Sequence, residues 1–262
     1  MEFKFLKLQI KSVDSATVAN ITLDKPPVNA LSSDFLHEIS KCVDHCVTEK
    51  VELAIFRGSE KAFIAGADIF QMKDMSAEQA GEFSSLGHEV MNKIECSDFL
   101  SLAVLNGYAL GGGLELALAC NLRFASENAI LGLPEVSLGL IPGFGGTYRL
   151  AREIGTGNAV HAICSAAKFN AKRAHELGLV QKVIPSVDFE EIVEKEVSDL
   201  LRNGPIAFRM AKNLIIANYS KSSQEALTVE QKAFSQLFIG DEAKEGMAAF
   251  LEKRKADFRN ES

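Results

Sequence analysis

The stretch that decides the fold reads Asn106-Gly107-Tyr108-Ala109-Leu110-Gly111-Gly112-Gly113-Leu114-Glu115-Leu116-Ala117-Leu118-Ala119-Cys120. An apolar strand, predicted over Leu100 to Leu105, runs into it, and the glycines open an almost wholly apolar helix. Glycines let another molecule approach the backbone, and a helix start offers unpaired N–H groups to an anion. Glu115 is a charge that is costly to bury among apolar neighbours. N–H donors that can bind a negatively charged oxygen, next to the half-buried acid Glu115, indicate chemistry that passes through an enolate.

A structural interpretation of the same residues stays open at this point. A glycine-rich turn from strand to helix often serves only tight packing. A single glutamate in the first turn often only complements the helix dipole. Taken alone, the stretch favours neither interpretation.

Composition excludes several classes of function. The chain has 262 residues, of which 47% are hydrophobic, enough for one large domain or a domain with an appendage. Its net charge of -7 argues against nucleic acid and against an anionic membrane surface as partners. No apolar run reaches the length of a membrane span. An anionic small ligand, which needs only local positive charge, stays compatible with this balance.

The expected location is the cytoplasm. Residues 1–10 alternate like a strand and resemble neither a secretory signal nor an Arg-rich transit peptide. Five cysteines without a paired framework suit a reducing compartment. The mitochondrial matrix is the alternative for a chain from which a presequence has been removed.

A catalytic metal is not expected. Cys42 and Cys46 flank His45, but Phe35, Ile39 and both cysteines fall on one helical face, which favours a core role. HExxH and CxxC motifs are absent. The sequence also lacks a GxSxG elbow, a GxGxxG motif and a GK[ST] phosphate loop.

Strands and helices alternate in the N-terminal half, which predicts a layered α/β domain with crossovers. Ser32 or Ser33 and Ser76 are expected to cap helices. From about Ala159 the pattern is mostly helical, with a last helix predicted over Asp241 to Phe258. The terminal helices carry many apolar residues, which either pack on their own domain or form an oligomer interface.

Three further segments contain candidate site residues. The first runs from Lys61 to Ile69 and contains small residues that expose backbone groups, although it could be a plain loop. The second contains Pro134-Glu135, which could be an ordinary acid behind a proline that starts a helix. The third, Gly143-Phe144-Gly145-Gly146-Thr147, is a second glycine-rich turn into a helix.

Together with the opening stretch, these segments resemble the crotonase superfamily. The ending Glu245-Gly246-Met247-Ala248-Ala249-Phe250-Leu251-Glu252-Lys253-Arg254-Lys255 is similar to its enoyl-CoA hydratase branch. The resemblance covers essentially the whole chain. It implies an α/β fold, a crotonase-like spiral of ββα turns over residues 1–195, and a C-terminal helical trimerisation region over residues 196–262. It also implies a homotrimer, or a homohexamer made of two trimers.

The resemblance assigns roles to individual residues. It makes Glu115 and Glu135 the catalytic pair and gives the oxyanion hole to the N–H groups of Ala67 and Gly112. Gly143 resembles the residue whose N–H helps to hold the catalytic water, while Phe250 and Lys253 resemble residues that reach a neighbouring subunit's coenzyme A site. The full implied substrate-binding set is Ala65, Gly66, Asp68, Ile69, Phe70, Leu110, Pro134, Gly143, Phe250 and Lys253.

The chain departs from the common family pattern at three positions. Phe70 stands where many relatives carry Lys, Tyr148 where many carry Gln, and Leu114 replaces a frequent small or sulfur-bearing residue. These departures bear on acyl-chain preference and on coenzyme A contacts. They leave the two carboxylates and the oxyanion glycine unchanged.

The implied activity is reversible syn addition of water to a 2-trans-enoyl-CoA in fatty-acid or short-chain acyl-CoA metabolism. Glu115 is expected to act as the base on water and Glu135 as the acid at Cα. No cofactor is expected, because coenzyme A is part of the substrate. The alternatives are another reaction of the superfamily (enoyl-CoA isomerisation, C–C bond cleavage or branched-chain enoyl-CoA hydration) and a non-catalytic scaffold or RNA-binding member. We also expect a Cβ at Gly112 to crowd the thioester.

Overall fold

The computed structural model describes residues 2–59 and 61–259, which form two β-sheets surrounded by helices. The larger sheet contains, in spatial order, β1 (Leu6–Val13), β2 (Ala16–Leu23), β3 (Leu53–Arg57), β5 (Leu100–Leu105), β7 (Leu122–Ser126) and β10 (Lys182–Ile184). The smaller sheet contains β4 (Ala62–Ile64), β6 (Tyr108–Leu110), β8 (Ile130–Gly132) and β9 (Lys168–Asn170). All neighbours are parallel except the pairs β1–β2 and β8–β9, which are antiparallel.

The chain passes from one sheet to the other in a repeating turn. Strands β3, β5 and β7 of the larger sheet are each followed by β4, β6 and β8 of the smaller sheet, and then by helical structure. The repeat confirms the expected spiral of ββα turns. Because β4, β6 and β8 of the smaller sheet pair in parallel, the loops at their carboxyl ends meet at one edge.

Among the described residues, the chain up to Leu138 contributes five helical segments. They are α1 (Ser33–Thr48), α2 (Ile69–Met72), α3 (Ala77–Cys96), α4 (Gly112–Ala119) and a short 3-10 helix (Glu135–Leu138). The remaining helices are α5 (Gly146–Ile154), α6 (Thr156–Cys164), α7 (Ala171–Glu176), α8 (Phe189–Leu201), α9 (Pro205–Asn218), α10 (Ser223–Leu237) and α11 (Asp241–Glu252). Ser32 caps α1, and Ser76 caps α3 while its own N–H donates to the Gln79 side chain, so these helix starts are confirmed.

The core interpretation of α1 is confirmed. Phe35, Ile39, Cys42 and Cys46 are all fully buried in the main hydrophobic core. In the part of the chain that the structure describes, no group of three or more His, Cys, Asp or Glu could hold a metal ion. No helix within the same residues is long and apolar enough to cross a membrane.

A second core covers the other face of the larger sheet. Helix α8 buries Phe189, Val193, Val197 and Leu201 against strand residues that include Leu53. The domain boundary predicted at residue 195 falls inside this helix. Residues from both halves of α8 pack on the sheet of the first region.

The C-terminal helices pack less fully. Helices α9, α10 and α11 each bury a single side chain: Lys212, Ala233 and Ala249, respectively. Large apolar side chains on these helices are exposed, namely Ile206, Ile215, Leu227, Val229, Phe234, Met247, Phe250 and Leu251. This chain alone leaves an unusually apolar helical surface.

The last helix is shorter than expected. The prediction of a helix to Phe258 is wrong, because α11 ends at Glu252 and Lys253 adopts a left-handed conformation with φ of 56°. Arg254 then donates two hydrogen bonds to Glu245, at 2.6 and 2.8 Å, and the Asp257 N–H donates to the same carboxylate at 2.8 Å. The tail therefore folds back along α11.

Candidate active site

Strand pairing brings two of the predicted segments together. Ile64 in β4 pairs with Ala109 in β6, so the residues after each strand emerge side by side. Gly66 and Gly111 have positive φ values of 117° and 52°, and a Cβ on Gly111 would lie 3.5 Å from the Cα of Gly66. Glycine suits both positions because φ is positive at each and the two segments of backbone approach closely.

Two backbone N–H groups remain available at this place. The Leu31 N–H donates to the Gly66 oxygen at 3.0 Å, and the Asp68 N–H donates to the Leu31 oxygen at 2.7 Å. In such a parallel bridge the N–H of the intervening residue, Ala67, points away from Leu31. Gly112 begins α4, so its N–H has no acceptor within the helix. Among residues 2–59 and 61–259, neither N–H has a hydrogen-bond partner.

Glu115 is held by the second glycine-rich turn. Its side chain is buried, with only 2% of the residue exposed, and Oε1 accepts hydrogen bonds from the N–H groups of Phe144 at 2.7 Å and Gly146 at 2.8 Å. Gly145, between the two donors, has φ of 100°, which turns both N–H groups to the same side. The turn is thus a concave backbone site for an anion, occupied here by a carboxylate.

Burial and hydrogen bonding act on Glu115 in opposite directions. Burial raises the pKa of Glu115 to about 7, although the two N–H donors lower it. The nearby Glu135 carboxylate raises the same pKa further, while the Arg149 guanidinium lowers it. Glu115 can therefore gain or lose a proton near neutral pH.

Glu135 approaches the same place from the third turn of the spiral. It begins the 3-10 helix that follows β8, with Pro134 as the preceding residue. A Cβ on Gly111 would lie 3.1 Å from Glu135 Oε1, while Oε2 is buried and without a hydrogen-bond partner in the described residues. Burial raises the pKa of Glu135 too. Two acids thus converge beside the start of α4, where proton transfer can accompany charge development on a bound oxygen.

Some of the other predicted site residues lie near Glu115 and Glu135, and others lie apart from them. Gly143 accepts a hydrogen bond from the Ser84 hydroxyl at 2.6 Å and directly precedes the Glu115-binding turn. Asp68 caps α2 and forms an ion pair with Lys25 at 3.1 Å. Ala65, Gly66, Ile69, Phe70 and Leu110 lie along the two adjoining segments, with Phe70 86% exposed.

Phe250 and Lys253 lie elsewhere in the single chain. Both are exposed at the end of α11. Within the described ranges they share no hydrogen bond or ion pair with the segments around Glu115. Their predicted contact with a neighbouring subunit's coenzyme A site stays a prediction.

The expected crowding of the thioester by a Cβ at Gly112 stays a prediction, and the structure shows that such an atom would also meet protein side chains. Such an atom would lie 3.0 Å from Leu31 Cδ1 and 3.2 Å from the Phe144 ring, so it points into packed side chains. Gly112 is itself buried, as is every residue of α4, so a side chain at this position would have to be accommodated by the core.

Sequence reasoning missed two buried polar groups that support the site. Asn29, with φ of 57°, donates to the Phe63 oxygen in β4 at 3.0 Å and so secures the strand that leads to Ala67. Arg149 forms a buried ion pair with Glu95 at 2.8 Å, 54 residues away in the chain. The sequence signal for Arg149 is its position: it follows Gly145 of the second glycine-rich turn by four residues and lies in the first turn of the helix that this turn opens.

The comparison with protein families matches nearly the whole chain. A family model described as enoyl-CoA hydratase/isomerase matches residues 14–261. A probable enoyl-CoA hydratase of Bacillus subtilis (strain 168) is 42% identical over 252 residues, with 93% of this chain and 96% of the relative covered.

Two further relatives have more specific names. A crotonyl-CoA hydratase of Syntrophomonas wolfei is 42% identical over 244 residues, covering 92% of this chain and 94% of the relative. A short-chain-enoyl-CoA hydratase of Clostridium acetobutylicum is 38% identical over 247 residues, covering 93% of this chain and 95% of the relative.

Solved structures agree in fold over the same extent. The crystal structure of an enoyl-CoA hydratase from Bacillus anthracis superimposes with a TM-score of 0.92 at 35% identity, covering 98% of this chain and all of that chain.

Proposed function

The chain belongs to the enoyl-CoA hydratase/isomerase family, and on that basis we propose that it adds water reversibly to 2-trans-enoyl-CoA, giving 3-hydroxyacyl-CoA. The observation that carries the proposal is the convergence of Glu115 and Glu135 beside the unpartnered N–H of Gly112. Hydration needs one group that takes a proton from water and another that gives a proton to carbon. It also needs donors for the oxygen that becomes negative between these steps.

In the proposed reaction the thioester oxygen binds between the N–H groups of Ala67 and Gly112. Glu115 takes a proton from water as the water oxygen bonds to Cβ, and the electrons of the double bond move to the thioester oxygen. Loss of one donor at such an oxygen typically costs roughly 3 kcal/mol of barrier. The enolate then collapses as Glu135 gives its proton to Cα, which completes a syn addition.

The surroundings of the two acids support this division of roles. Two N–H donors on Oε1 favour the charged form of Glu115 and oppose the burial that raises its pKa to about 7, whereas Glu135 Oε2 is buried with no donor among the described residues, which favours its neutral form. The two acids are coupled, because the charge of Glu135 raises the pKa of Glu115. One negative charge in the pair is therefore the favoured state.

The proposal extends to substrate and assembly. The substrate is an acyl-CoA thioester in fatty-acid or short-chain acyl-CoA metabolism, and no cofactor is needed beyond the coenzyme A that the substrate carries. Two relatives are named for crotonyl-CoA and short-chain substrates, which supports a short acyl chain. The exposed apolar surface of α9 to α11 supports a homotrimer or a homohexamer. The free cysteines support the cytoplasm as the location.

The test is the loss of enoyl-thioester absorbance on a panel of enoyl-CoA substrates from short to long chain. We expect Glu115→Gln and Glu135→Gln each to lower turnover of crotonyl-CoA about 100-fold or more, because each removes a proton transfer. Glu176→Gln, an exposed glutamate paired with Arg173, is the matched control and keeps full activity. Turnover close to wild type in either folded site variant contradicts the paired-acid mechanism.

A parallel assay separates the alternatives. Conversion of a 3-enoyl-CoA to the 2-enoyl isomer without net hydration would indicate isomerisation. RNA binding that persists in high salt, together with no conversion of any enoyl-CoA substrate, would indicate the scaffold alternative. The net charge of -7 disfavours that alternative.

A further inference from the structure

Arg149 lies directly behind the turn that binds Glu115. Its guanidinium is buried and every arm is engaged: Nε donates to Glu95 Oε2 at 2.8 Å, Nη1 to the Phe144 oxygen at 3.1 Å and Nη2 to Asn92 Oδ1 at 2.7 Å. Two of these acceptors belong to α3 and one to the turn. The arginine thus ties the turn to a long helix.

The Phe144 residue is shared between the carboxylate and the arginine. Its N–H donates to Glu115 Oε1, and its carbonyl oxygen accepts from Arg149 Nη1. A Cβ on Gly145 would overlap Nη1, so the guanidinium fills the space next to the left-handed glycine. The position of the guanidinium is therefore coupled to the backbone that donates to Glu115.

The charges around Glu115 are few. The elements packed most closely against α4 are α3, α5, β4 and β6, and β4 and β6 contain no charged residue. Helix α3 contributes Glu95, which is paired with both Arg149 and Arg152. His88 on α3 lies near Gly145. Glu135 is the other acid of the site.

The remaining charged groups of these two helices are directed elsewhere. Lys93 of α3 pairs with Asp44, and Glu153 of α5 pairs with Arg123. The other acids of α3, Glu78, Glu82 and Glu89, are exposed. Arg149 is the cation that lowers the pKa of Glu115.

We propose that Arg149 is a positioning residue which, held by Glu95 and Asn92, fixes the Phe144–Gly146 turn and favours the charged form of the Glu115 carboxylate in its apolar surroundings. This inference rests on the proposed function, in which Glu115 takes a proton from water. It assigns two separable effects to one side chain. The fork geometry orients the N–H donors, and the positive charge favours the carboxylate over the acid.

The two effects predict different outcomes for different substitutions. Arg149→Gln removes the charge, so the acidic limb of the kcat profile against pH moves up by about one pH unit. Arg149→Lys keeps the charge but loses the fork, so the limb stays near its wild-type pH while kcat falls roughly tenfold through misplaced donors. Glu95→Gln removes the counter-charge of Arg149, so the limb moves down.

The opposite directions for Arg149→Gln and Glu95→Gln distinguish this role from a structural one. Both substitutions break the same buried ion pair, so a structural role alone predicts similar losses and no shift of opposite sign. Arg123→Lys is the matched control: Arg123 is an equally buried arginine that donates to carbonyl groups of Leu179 and Cys120. It should lower the melting temperature and leave the acidic limb unchanged.

A direct titration makes the inference independent of catalysis. Infrared spectra of protein labelled with ¹³C-carboxyl glutamate, with the Glu115→Gln spectrum subtracted, report the ionisation of Glu115 against pH. A higher titration midpoint in Arg149→Gln supports the inference even if wild type fails to hydrate any enoyl-CoA, in which case only the proposed function fails. An unchanged midpoint in Arg149→Gln, in an active wild-type background, overturns the inference.

Discussion

The amide nitrogen of Gly146 lies 2.8 Å from Glu115 Oε1, and a Cβ added to Gly146 would lie 2.9 Å from the same oxygen. The donor and the space beside it thus belong to one residue. The backbone N–H of Gly146 donates the hydrogen bond, and the absence of a side chain leaves room for the carboxylate.

Gly146→Ala should therefore displace the carboxylate. The added methyl group would also meet the side chains of Leu133 and Pro142 at 2.9 Å, so it has no direction in which to relax. We expect kcat for crotonyl-CoA to fall about 100-fold, the cost typical of a misplaced reacting group. Gly157→Ala, in α6 with open space around it, is the control and should keep full activity with equal or higher stability. Wild-type kcat for Gly146→Ala would mean that the carboxylate position is unimportant.

Glu115→Gln should be inactive but more stable than wild type at alkaline pH. Burial raises the pKa of Glu115 to about 7 from 4.5. Between these values the unfolded chain releases a proton that the folded protein keeps, so the free energy of unfolding of wild type falls as pH rises through this window. Glutamine does not ionise, and the difference in melting temperature between variant and wild type should be small at pH 5 and larger at pH 8. Equal differences at both pH values would contradict the raised pKa.

Gly112→Ala and Gly113→Ala should differ in severity. A Cβ at Gly113 would overlap the backbone oxygen of Ile64, which cannot move without shifting β4. A Cβ at Gly112 meets Leu31 and Phe144 side chains at 3.0 to 3.3 Å, which can adjust by a few tenths of an ångström. Calorimetry should show a larger drop in melting temperature for Gly113→Ala. Gly112→Ala should lower stability and kcat together, because the packing that resists its methyl group also sets the direction of its N–H.

A charge on the C-terminal surface should disrupt assembly. Phe250 is 83% exposed in the single chain, and Leu251 beside it is 79% exposed. If these residues are buried between subunits, Leu251→Asp should shift the particle towards monomer in light scattering, since an unpaired buried charge is costly. Val187→Asp, at an equally exposed apolar residue outside the C-terminal helices, should leave the mass unchanged. A wild-type protein that is monomeric and active would contradict the proposed assembly.

Local patterns predicted the elements with strong sequence signals. The strand over Leu100–Leu105 has the predicted bounds and the helix after Ser76 begins where predicted, because an apolar run and a cap are set by adjacent residues. The end of α11 was not predictable in this way. It depends on contacts of Glu245 with Arg254 and Asp257, which helical periodicity does not encode.

The site required more than local pattern. That Glu115 and Glu135 converge follows from the pairing of β6 with β8, between Tyr108 and Ile130, and spacing along the chain does not give that pairing. Only the family resemblance pointed to both acids together. Arg149 escaped notice because its partner Glu95 is distant in sequence and a lone arginine on a helix normally faces solvent.

The edges of the larger sheet have a consequence for the protein at high concentration. Strand β1 forms one edge, and its residues Lys7 and Lys11 are exposed, while the opposite edge, β10, is only three residues long. An open edge can template the strand of another molecule, and both lysine charges and short length oppose such growth. Both margins of the larger sheet therefore carry features that oppose edge-to-edge pairing with another molecule.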